Sequence, residues 1–287
     1  MKEARSRWWE VLFTKNPMMA EVSRFRKRFL SIRGSSVAIN GGVGIVLVLY
    51  ALFSMVCVYY RGDFDPIILI TIFAYLMLFA IPLMLHASIA GERERRSWDM
   101  LLVAPITHGQ IIVGKFAGAL SGLFLAFGLY LIPVSIDAAF NDDKNVGALL
   151  VSGIVVLAQG AMLIALTLLI SSRVKRPLIA LAVSIGVVMV YFFFLPGLSM
   201  SILSGSTRTL TGIVSPFEIL QRLSRIGQIG SDIYDPMSVQ ILDPVILVSG
   251  HLFFQLAVTI SLLVWATKTL VFADHEVKFI RTKRNHA

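Results

Sequence analysis

The sequence contains little charge and almost no cysteine. Only 15% of its 287 residues are Asp, Glu, Lys or Arg, whereas 56% are hydrophobic. Soluble domains carry about a quarter charged residues, so this composition excludes a soluble globular protein. The single cysteine, Cys57, excludes an internal disulfide and any cluster of cysteine metal ligands. We expect no metal site in the chain.

Long apolar segments dominate the sequence. Six of them are long enough to cross a hydrocarbon core of about 30 Å at about 1.5 Å per residue. They are Val37 to Tyr60, Ile67 to Ala90, Ile111 to Ile136, Val146 to Ser171, Leu178 to Ile202 and Val245 to Phe272. We therefore predict an all-α membrane protein with six transmembrane helices, without a cleaved signal peptide. The predicted parts are an arm over 1–36, a transmembrane domain over 37–273 and a basic tail over 274–287.

Lys and Arg are concentrated in alternate connections. The arm, residues 91–115, residues 173–176 and the tail from Lys268 hold 21 of the 26 basic residues. Basic residues near the ends of spans are retained in the cytoplasm, so both termini are predicted to be cytoplasmic. We expect an inner (plasma) membrane protein of a bacterium or archaeon. The net charge of +9 then belongs to one membrane face, and no nucleic-acid partner is expected.

The N-terminal arm contains the pattern of an amphipathic helix. Asn16 followed by Pro17 is typical of a helix start, and apolar residues then recur at helical spacing among basic ones. We predict a helix on the inner membrane surface, in contact with anionic lipid. A helix packed on a soluble partner is the alternative. The predicted interface residues are Pro17, Phe25, Arg26, Lys27 and Phe29.

Two further patterns concern helices near or within the membrane. Gly114, Gly118 and Gly122 recur at four-residue intervals in the third span, which predicts close helix packing, with a substrate path as the alternative. The long outer connection, residues 203–244, contains an amphipathic run. Short helices at the outer interface and a solvated loop fit this run equally well. Its apolar members are Ile219, Leu220, Leu223 and Ile226.

The connection between the second and third spans, GERERRSWDMLLVAPITHGQIIVGK over 91–115, is dense in charge yet patterned. Glu92 can pair with Arg95 and Arg96 at helical spacing, which supports a short helix. This region, and above all its segment 91–110, is called the charged loop below.

The charged loop also has an apolar edge. Trp98, Leu101 and Leu102 form this edge, and Pro105 ends the run. A helix that protrudes from the membrane has no core in which to bury such an edge, so the pattern predicts a docking surface for another protein. A membrane-surface helix with Trp98 at the headgroups is the alternative.

The charged loop resembles the first cytoplasmic loop of type-2 ABC transporter permeases. That loop has an acidic-basic repeat, a Leu-Leu pair, a proline and a Gly-Lys pair that opens the next span. The matching residues are Glu92-Arg93-Glu94-Arg95, Trp98 to Leu102, Ala104-Pro105 and Gly114-Lys115. The resemblance also covers the six-span layout and the N-terminal helix. This sequence has Arg96-Ser97 where many members have glycine and threonine.

The resemblance implies a permease subunit, an exporter, that dimerises with an identical or a different protomer and works with two copies of a separate cytoplasmic ABC ATPase. ATP and Mg would bind that ATPase, and this chain would bind no cofactor and would not itself be an enzyme. The charged loop would be the coupling helix, with Glu92 and Glu94 contacting the ATPase by charge. The residues implied in docking are Glu92, Glu94, Arg95, Trp98, Leu101, Leu102 and Pro105.

Two motifs point elsewhere and are incomplete. Residues 109–116 fit a phosphate loop except at the last position, where Phe116 cannot supply the hydroxyl that binds magnesium. Ser199 and His251 lie near the ends of the last two spans, which resembles the pair of a rhomboid-type intramembrane serine protease. Met200 stands where that motif has a glycine. The protease is the alternative function.

Few strongly polar residues lie within the predicted spans: His86, Gln159, His251 and Gln255. Hydrogen bonds between helices are the usual explanation for such residues. No carboxylate lies deep in a span, whereas an ion-coupled carrier is expected to have one. This pattern favours an energy source outside the chain.

Overall fold

The computed structural model describes residues 37–59, 65–94, 106–139, 146–194, 215–228 and 244–285, and within these ranges it is helical with no strand. The helices are α1 (Val37–Tyr59), α2 (Pro66–Leu85), α3 (Ala87–Glu94), α4 (His108–Ala139), α5 (Val146–Arg173), α6 (Pro177–Met189) with a π-helical turn at Val190–Phe194, α7 (Pro216–Gln228) and α8 (Pro244–Asn285).

Four stretches in the described ranges are long and apolar enough to cross a membrane: Pro66–Glu94, His108–Ile136, Gly147–Arg173 and Ile246–Leu270. Two shorter apolar helices accompany them, Val48–Tyr59 and Pro177–Phe193. The predicted all-α membrane class is therefore confirmed, and the number of six spans stays a prediction. Large apolar side chains cover the outside of the bundle, for example Met84 and Phe253.

Helix α5 is the centre of the bundle. It packs against α2, α3, α4, α6, α7 and α8. Inside the protein, 72% of its apolar window is buried, against 22% for the windows of α4 and α8. Its core side chains include Val155, Leu163 and Leu168, which are fully buried. A movement of α5 would therefore displace most of the other helices.

Local capping fixes where the spans begin. Asp65 precedes α2 and its Oδ1 accepts a hydrogen bond from the Ile67 N–H at 3.0 Å. At α4, the Thr107 N–H donates to Gln110 Oε1 at 2.8 Å, and the Gln110 N–H donates to Thr107 Oγ1 at 3.3 Å. This is a capping box, and it starts α4 at His108, earlier than the Ile111 start predicted from hydropathy alone.

The second predicted span is divided. Helix α2 ends at Leu85, His86 forms a turn, and α3 follows in contact with α5 and α6. Pro82 lies one turn before the break and lacks the N–H of a regular helix. The His86 N–H still donates to the Pro82 carbonyl at 3.0 Å, and His86 keeps right-handed helical backbone angles, so the interruption is one residue long.

The amphipathic run of the long outer connection forms α7. Its Ile219, Leu220 and Leu223 side chains are buried against α2, α5 and α8, so the solvated-loop alternative is wrong. The side chain of Ile226 lies outside the described residues. Glu218 and Arg222 form an ion pair at 2.6 Å on α7, one helical turn apart.

The ends of the chain are described only in part. Helix α8 continues to Asn285, through the segment predicted as a separate basic tail. The N-terminal arm lies outside the described residues, together with its predicted interface residues Pro17, Phe25, Arg26, Lys27 and Phe29.

Candidate functional site at the base of the charged loop

The described end of the charged loop is α3, and a serine of α5 holds it. Ser171 Oγ accepts hydrogen bonds from the backbone N–H groups of Ile89 and Ala90, each at 3.1 Å. The same hydroxyl donates to the His86 carbonyl at 2.8 Å. Ser171 is fully buried. One side chain thus bonds to the backbone on both sides of the break between α2 and α3.

A lysine of α4 holds the opposite side of α3. Lys115 Nζ donates to the Ser88 carbonyl at 2.8 Å and to Glu92 Oε1 at 2.7 Å. The side chains of Lys115 and Glu92 are only 12% and 26% exposed, so water screens this pair less than a surface pair. The Ile89 and Ala90 side chains of α3 are fully buried.

The last turn of α5 is attached to α8 as well. Ser172 Oγ and Thr269 Oγ1 are 3.0 Å apart and share a hydrogen bond. The Arg173 guanidinium lies over the Trp265 ring, 4.3 Å from its centroid, a cation–π contact. Three consecutive residues of α5 therefore connect this helix to α3 on one side and to α8 on the other.

The geometry makes the base of the charged loop a mechanical junction. A displacement of α3 either carries the ends of α4 and α5 with it or breaks the bonds of Ser171 and Lys115. Packed helices of this kind move as rigid bodies between discrete arrangements. The arrangement can pass a force on the loop to the helices of the bundle.

Most of the predicted docking residues lie beyond this junction. Glu92 pairs with Lys115, where the sequence analysis paired it with Arg95 and Arg96. Glu94 is exposed at the last position of α3. The other docking residues lie outside the described residues: Arg95, Trp98, Leu101, Leu102 and Pro105.

The incomplete phosphate-loop motif is helical. Residues 109–115 form the first turns of α4, which starts at His108. Their backbone N–H groups are therefore not arranged as a phosphate cradle, and Lys115 is bonded to Ser88 and Glu92.

The predicted packing glycines lie on α4, where Gly114 is buried and Gly118 and Gly122 are partly buried. One close approach between helices is at a glycine that the sequence analysis did not single out. A Cβ built on Gly160 of α5 would lie 2.5 Å from Leu123 Cδ2 of α4 and 3.3 Å from the Met77 sulfur of α2. Gly160 therefore lets three helices meet in the core.

The alternative protease pair is only half described. His251 is fully buried in α8, and its Nε2 lies 3.1 Å from Gln255 Nε2 on the same helix. Ser199 lies outside the described residues. No group of three or more His, Cys, Asp or Glu side chains in the described ranges could hold a metal ion.

Sequence reasoning missed Ser171 because it considered only ionisable and amide side chains within the spans. Small hydroxyl residues are frequent hydrogen-bonding contacts between transmembrane helices. Ser171 and Ser172 stand as a pair directly before the basic turn at Arg173. A serine pair at the end of a span, next to a charged loop, is the signal that could have found them.

These observations define an integral membrane protein whose bundle is connected to a charged loop through a hydrogen-bonded junction. Residues 61–273 match the family model described as ABC-2 family transporter protein, and the chain belongs to this family. It is a permease-type component of ABC transport, as the resemblance of the charged loop predicts. No curated protein matches the chain. The family match supports the permease and gives no support to the protease alternative.

Proposed function

We propose that this chain is the permease subunit of an ATP-driven exporter and that a separate cytoplasmic ABC ATPase docks on the charged loop, between Glu92 and Pro105. Two permease protomers, identical or different, form the transport unit in a bacterial or archaeal plasma membrane, with both termini in the cytoplasm. ATP and Mg bind the partner. Cargo passes between protomers lined mainly by apolar side chains, which suits an amphipathic or hydrophobic molecule.

The observation that carries the proposal is the attachment of α3 to its neighbours. A docking loop produces transport only if its movement reaches the membrane helices. Ser171 and Lys115 connect α3 to α5 and α4, and α5 contacts most of the bundle. Closure of the ATPase pair would therefore move α3 together with α4 and α5, as a rigid-body transition driven by ligand binding.

The attachments also divide the predicted docking residues into two groups. Glu92 is held inside this chain by Lys115, so its role is to position α3. Glu94 is exposed and is the described carboxylate that remains for a partner. Trp98, Leu101 and Leu102 are the proposed apolar anchors of the ATPase contact, because apolar and aromatic side chains dominate binding energy at interfaces.

The test is purification of the tagged chain from its native membrane in mild detergent, followed by identification of the proteins that copurify. We expect an ABC ATPase in the wild-type sample and its loss with Trp98→Ala and Leu101→Ala. Leu76→Ala is the matched control, because Leu76 is an exposed apolar residue of α2, away from the charged loop. This variant should retain the ATPase.

Two results contradict the proposal. One is an intact permease that never copurifies with an ATPase. The other is an ATPase that the Trp98→Ala and Leu101→Ala variants retain as well as the Leu76→Ala control does.

A further inference from the structure

Helix α7 lies alongside half of α2. At one end, Ser224 of α7 donates a hydrogen bond to the Asp65 carboxylate, which caps α2. At the other end, the Phe217 ring stacks on the Tyr75 ring, with centroids 3.9 Å apart and planes 8° apart. Ten residues of helix separate Asp65 from Tyr75, a length of about 15 Å. Since α2 has 20 residues, α7 runs antiparallel to it from the Asp65 end to its middle.

A second helix also contacts the start of α7. Phe192, near the middle of the fifth apolar segment, makes an edge contact with Phe217 at a centroid distance of 5.8 Å. Phe192 follows the start of α6 at Pro177 by fifteen residues, about 23 Å along the helix. The start of α7 therefore packs on the middle of two apolar segments, whereas the sequence analysis allowed a helix flat at the outer interface.

One side of α7 is apolar and packed, whereas the other is polar. The polar face consists of Glu218, Gln221 and Arg222. Gln221 is exposed, and the side chains of Glu218 and Arg222 are 19% and 29% exposed. Helix α2, against which α7 packs, includes no charged side chain in Pro66–Leu85.

Hydrocarbon is a poor solvent for this polar face. Ionised side chains within a bilayer face the bundle interior or a water-filled cavity. The long Arg222 side chain can place its charge near the headgroups, because Arg222 lies only two residues from Ser224. The shorter Glu218 side chain cannot, because Glu218 lies six residues from Ser224, about 9 Å deeper along the helix.

We infer that the polar face of α7 lines a water-filled passage, which opens on the membrane side at which α2 begins. Water in this passage solvates Gln221 and the exposed parts of the Glu218–Arg222 pair. Under the proposed function, on which this reading of the passage rests, the passage would give polar surroundings to the hydrophilic part of an amphipathic cargo.

The test uses the single cysteine of the chain. Cys57 is buried, and Cys57→Ala provides a background without a thiol. Gln221→Cys then places one thiol on the polar face. Ile68→Cys is the matched control, because Ile68 is exposed on α2 and lies three residues from Asp65, as Gln221 lies three residues from Ser224. If Cys57→Ala fails to fold, the wild-type chain with its buried thiol replaces it.

A charged, membrane-impermeant maleimide is added to sealed vesicles of each orientation. We expect Gln221→Cys to react roughly tenfold or more faster than Ile68→Cys, because only a solvated thiol forms the reactive thiolate. The reaction should occur from one side of the membrane only. Lys175→Cys, in the exposed turn between α5 and α6, should react from the opposite side.

Equal, slow reaction of Gln221→Cys and Ile68→Cys would overturn the inference. Disulfide-linked dimers of Gln221→Cys on oxidation would overturn it too, since they would place the polar face against a second copy of the chain. The labelling needs no ATPase. A negative labelling result would therefore contradict the passage alone, because the copurification experiment tests the proposed function separately.

Discussion

A hydroxyl in a transmembrane helix can bond to its own helix or to another one. Most hydroxyls of the bundle take the first option. Ser121 donates to the Gly118 carbonyl, Ser152 to the Leu149 carbonyl and Thr167 to the Leu163 carbonyl, all within one helical turn. Ser171 instead bonds to residues more than eighty positions away. This difference makes Ser171, together with Lys115, a residue on which the position of α3 depends.

Ser171→Ala should therefore destabilise the protein. We expect the free energy of unfolding to fall by about 1–2 kcal/mol, because hydrogen bonds between membrane helices average about 0.6 kcal/mol and three are lost. Ser184→Ala is the matched control, since Ser184 is buried in α6 and its hydroxyl has no partner among the described residues. Thermal unfolding in detergent measures both variants. Equal effects of the two substitutions would contradict the role of Ser171.

Gln159 is the opposite case, a buried amide that bonds to nothing in the described part of the chain. It lies fully buried in α5, with neither Nε2 nor Oε1 hydrogen-bonded. An unsatisfied buried amide costs free energy that an apolar side chain of similar size does not. We expect Gln159→Leu to raise the free energy of unfolding by about 1 kcal/mol.

The control for Gln159 is Gln110, whose side chain completes the capping box of α4. Gln110→Leu should lower the free energy of unfolding by about 1 kcal/mol, because the cap is lost. The same thermal measurement in detergent reads both variants. A loss of stability in Gln159→Leu would show that the amide has a partner in the membrane.

At the scale of the elements, α5 is the helix that cannot be displaced without disturbing its neighbours. Gly160 is a closely packed point of this helix, since a Cβ there would meet Leu123 and Met77. A methyl group can be accommodated if the Leu123 side chain turns. A larger side chain requires α4 or α2 to move.

Gly160→Leu should accordingly lower the free energy of unfolding by about 1–3 kcal/mol through overpacking. Gly186→Leu is the matched control, because a Cβ on Gly186 of α6 meets nothing within 4 Å. Thermal unfolding and the size-exclusion profile in detergent compare the two variants. If both behave like the wild type, α5 and α4 are not packed as closely as the structure places them.

Hydropathy predicted the helices better than it predicted their ends. The predicted segments Val37 to Tyr60 and Val146 to Ser171 differ from α1 and α5 by one or two residues. Where specific side chains determine the ends, the prediction failed: the capping box starts α4 early, and Pro82 precedes the break between α2 and α3. A sum over apolar residues contains no information about such single bonds.

The candidate site, like the helices, was predicted only in part. The charged loop was identified from its residues, and the family match over 61–273 includes it. The attachment of that loop was not predicted, because Lys115 and Ser171 are distant from Glu92 and His86 in the sequence. Without a pattern that connects distant positions, Glu92 could be paired only with its neighbours on the same helix.

For the whole molecule, the proposed function separates the source of energy from the path of the cargo. The junction of Ser171 and Lys115 lies at one end of α5, and α7 packs near the other end, beside Asp65. Helix α5 contacts both α3 and α7. A movement imposed at the charged loop can thus reach the polar face of α7 through one rigid helix, without any chemistry inside this chain.

The last prediction follows from that separation: the purified chain alone should bind no ATP. Residues 109–115 are helical and Lys115 is held by Ser88 and Glu92, so Mg-ATP should leave the midpoint of thermal unfolding unchanged. A ligand at a hundred times its Kd would stabilise the chain by about 2.7 kcal/mol, an effect that is readily measured.

The copurified complex with its ATPase is the positive control, and its partner subunit should be stabilised by Mg-ATP. A shift seen with the chain alone, and abolished by Lys115→Ala, would place the nucleotide on this chain and remove the need for a separate ATPase. Because each variant is compared with and without ATP, any destabilisation caused by Lys115→Ala itself cancels. The measurement therefore reads nucleotide binding and nothing else.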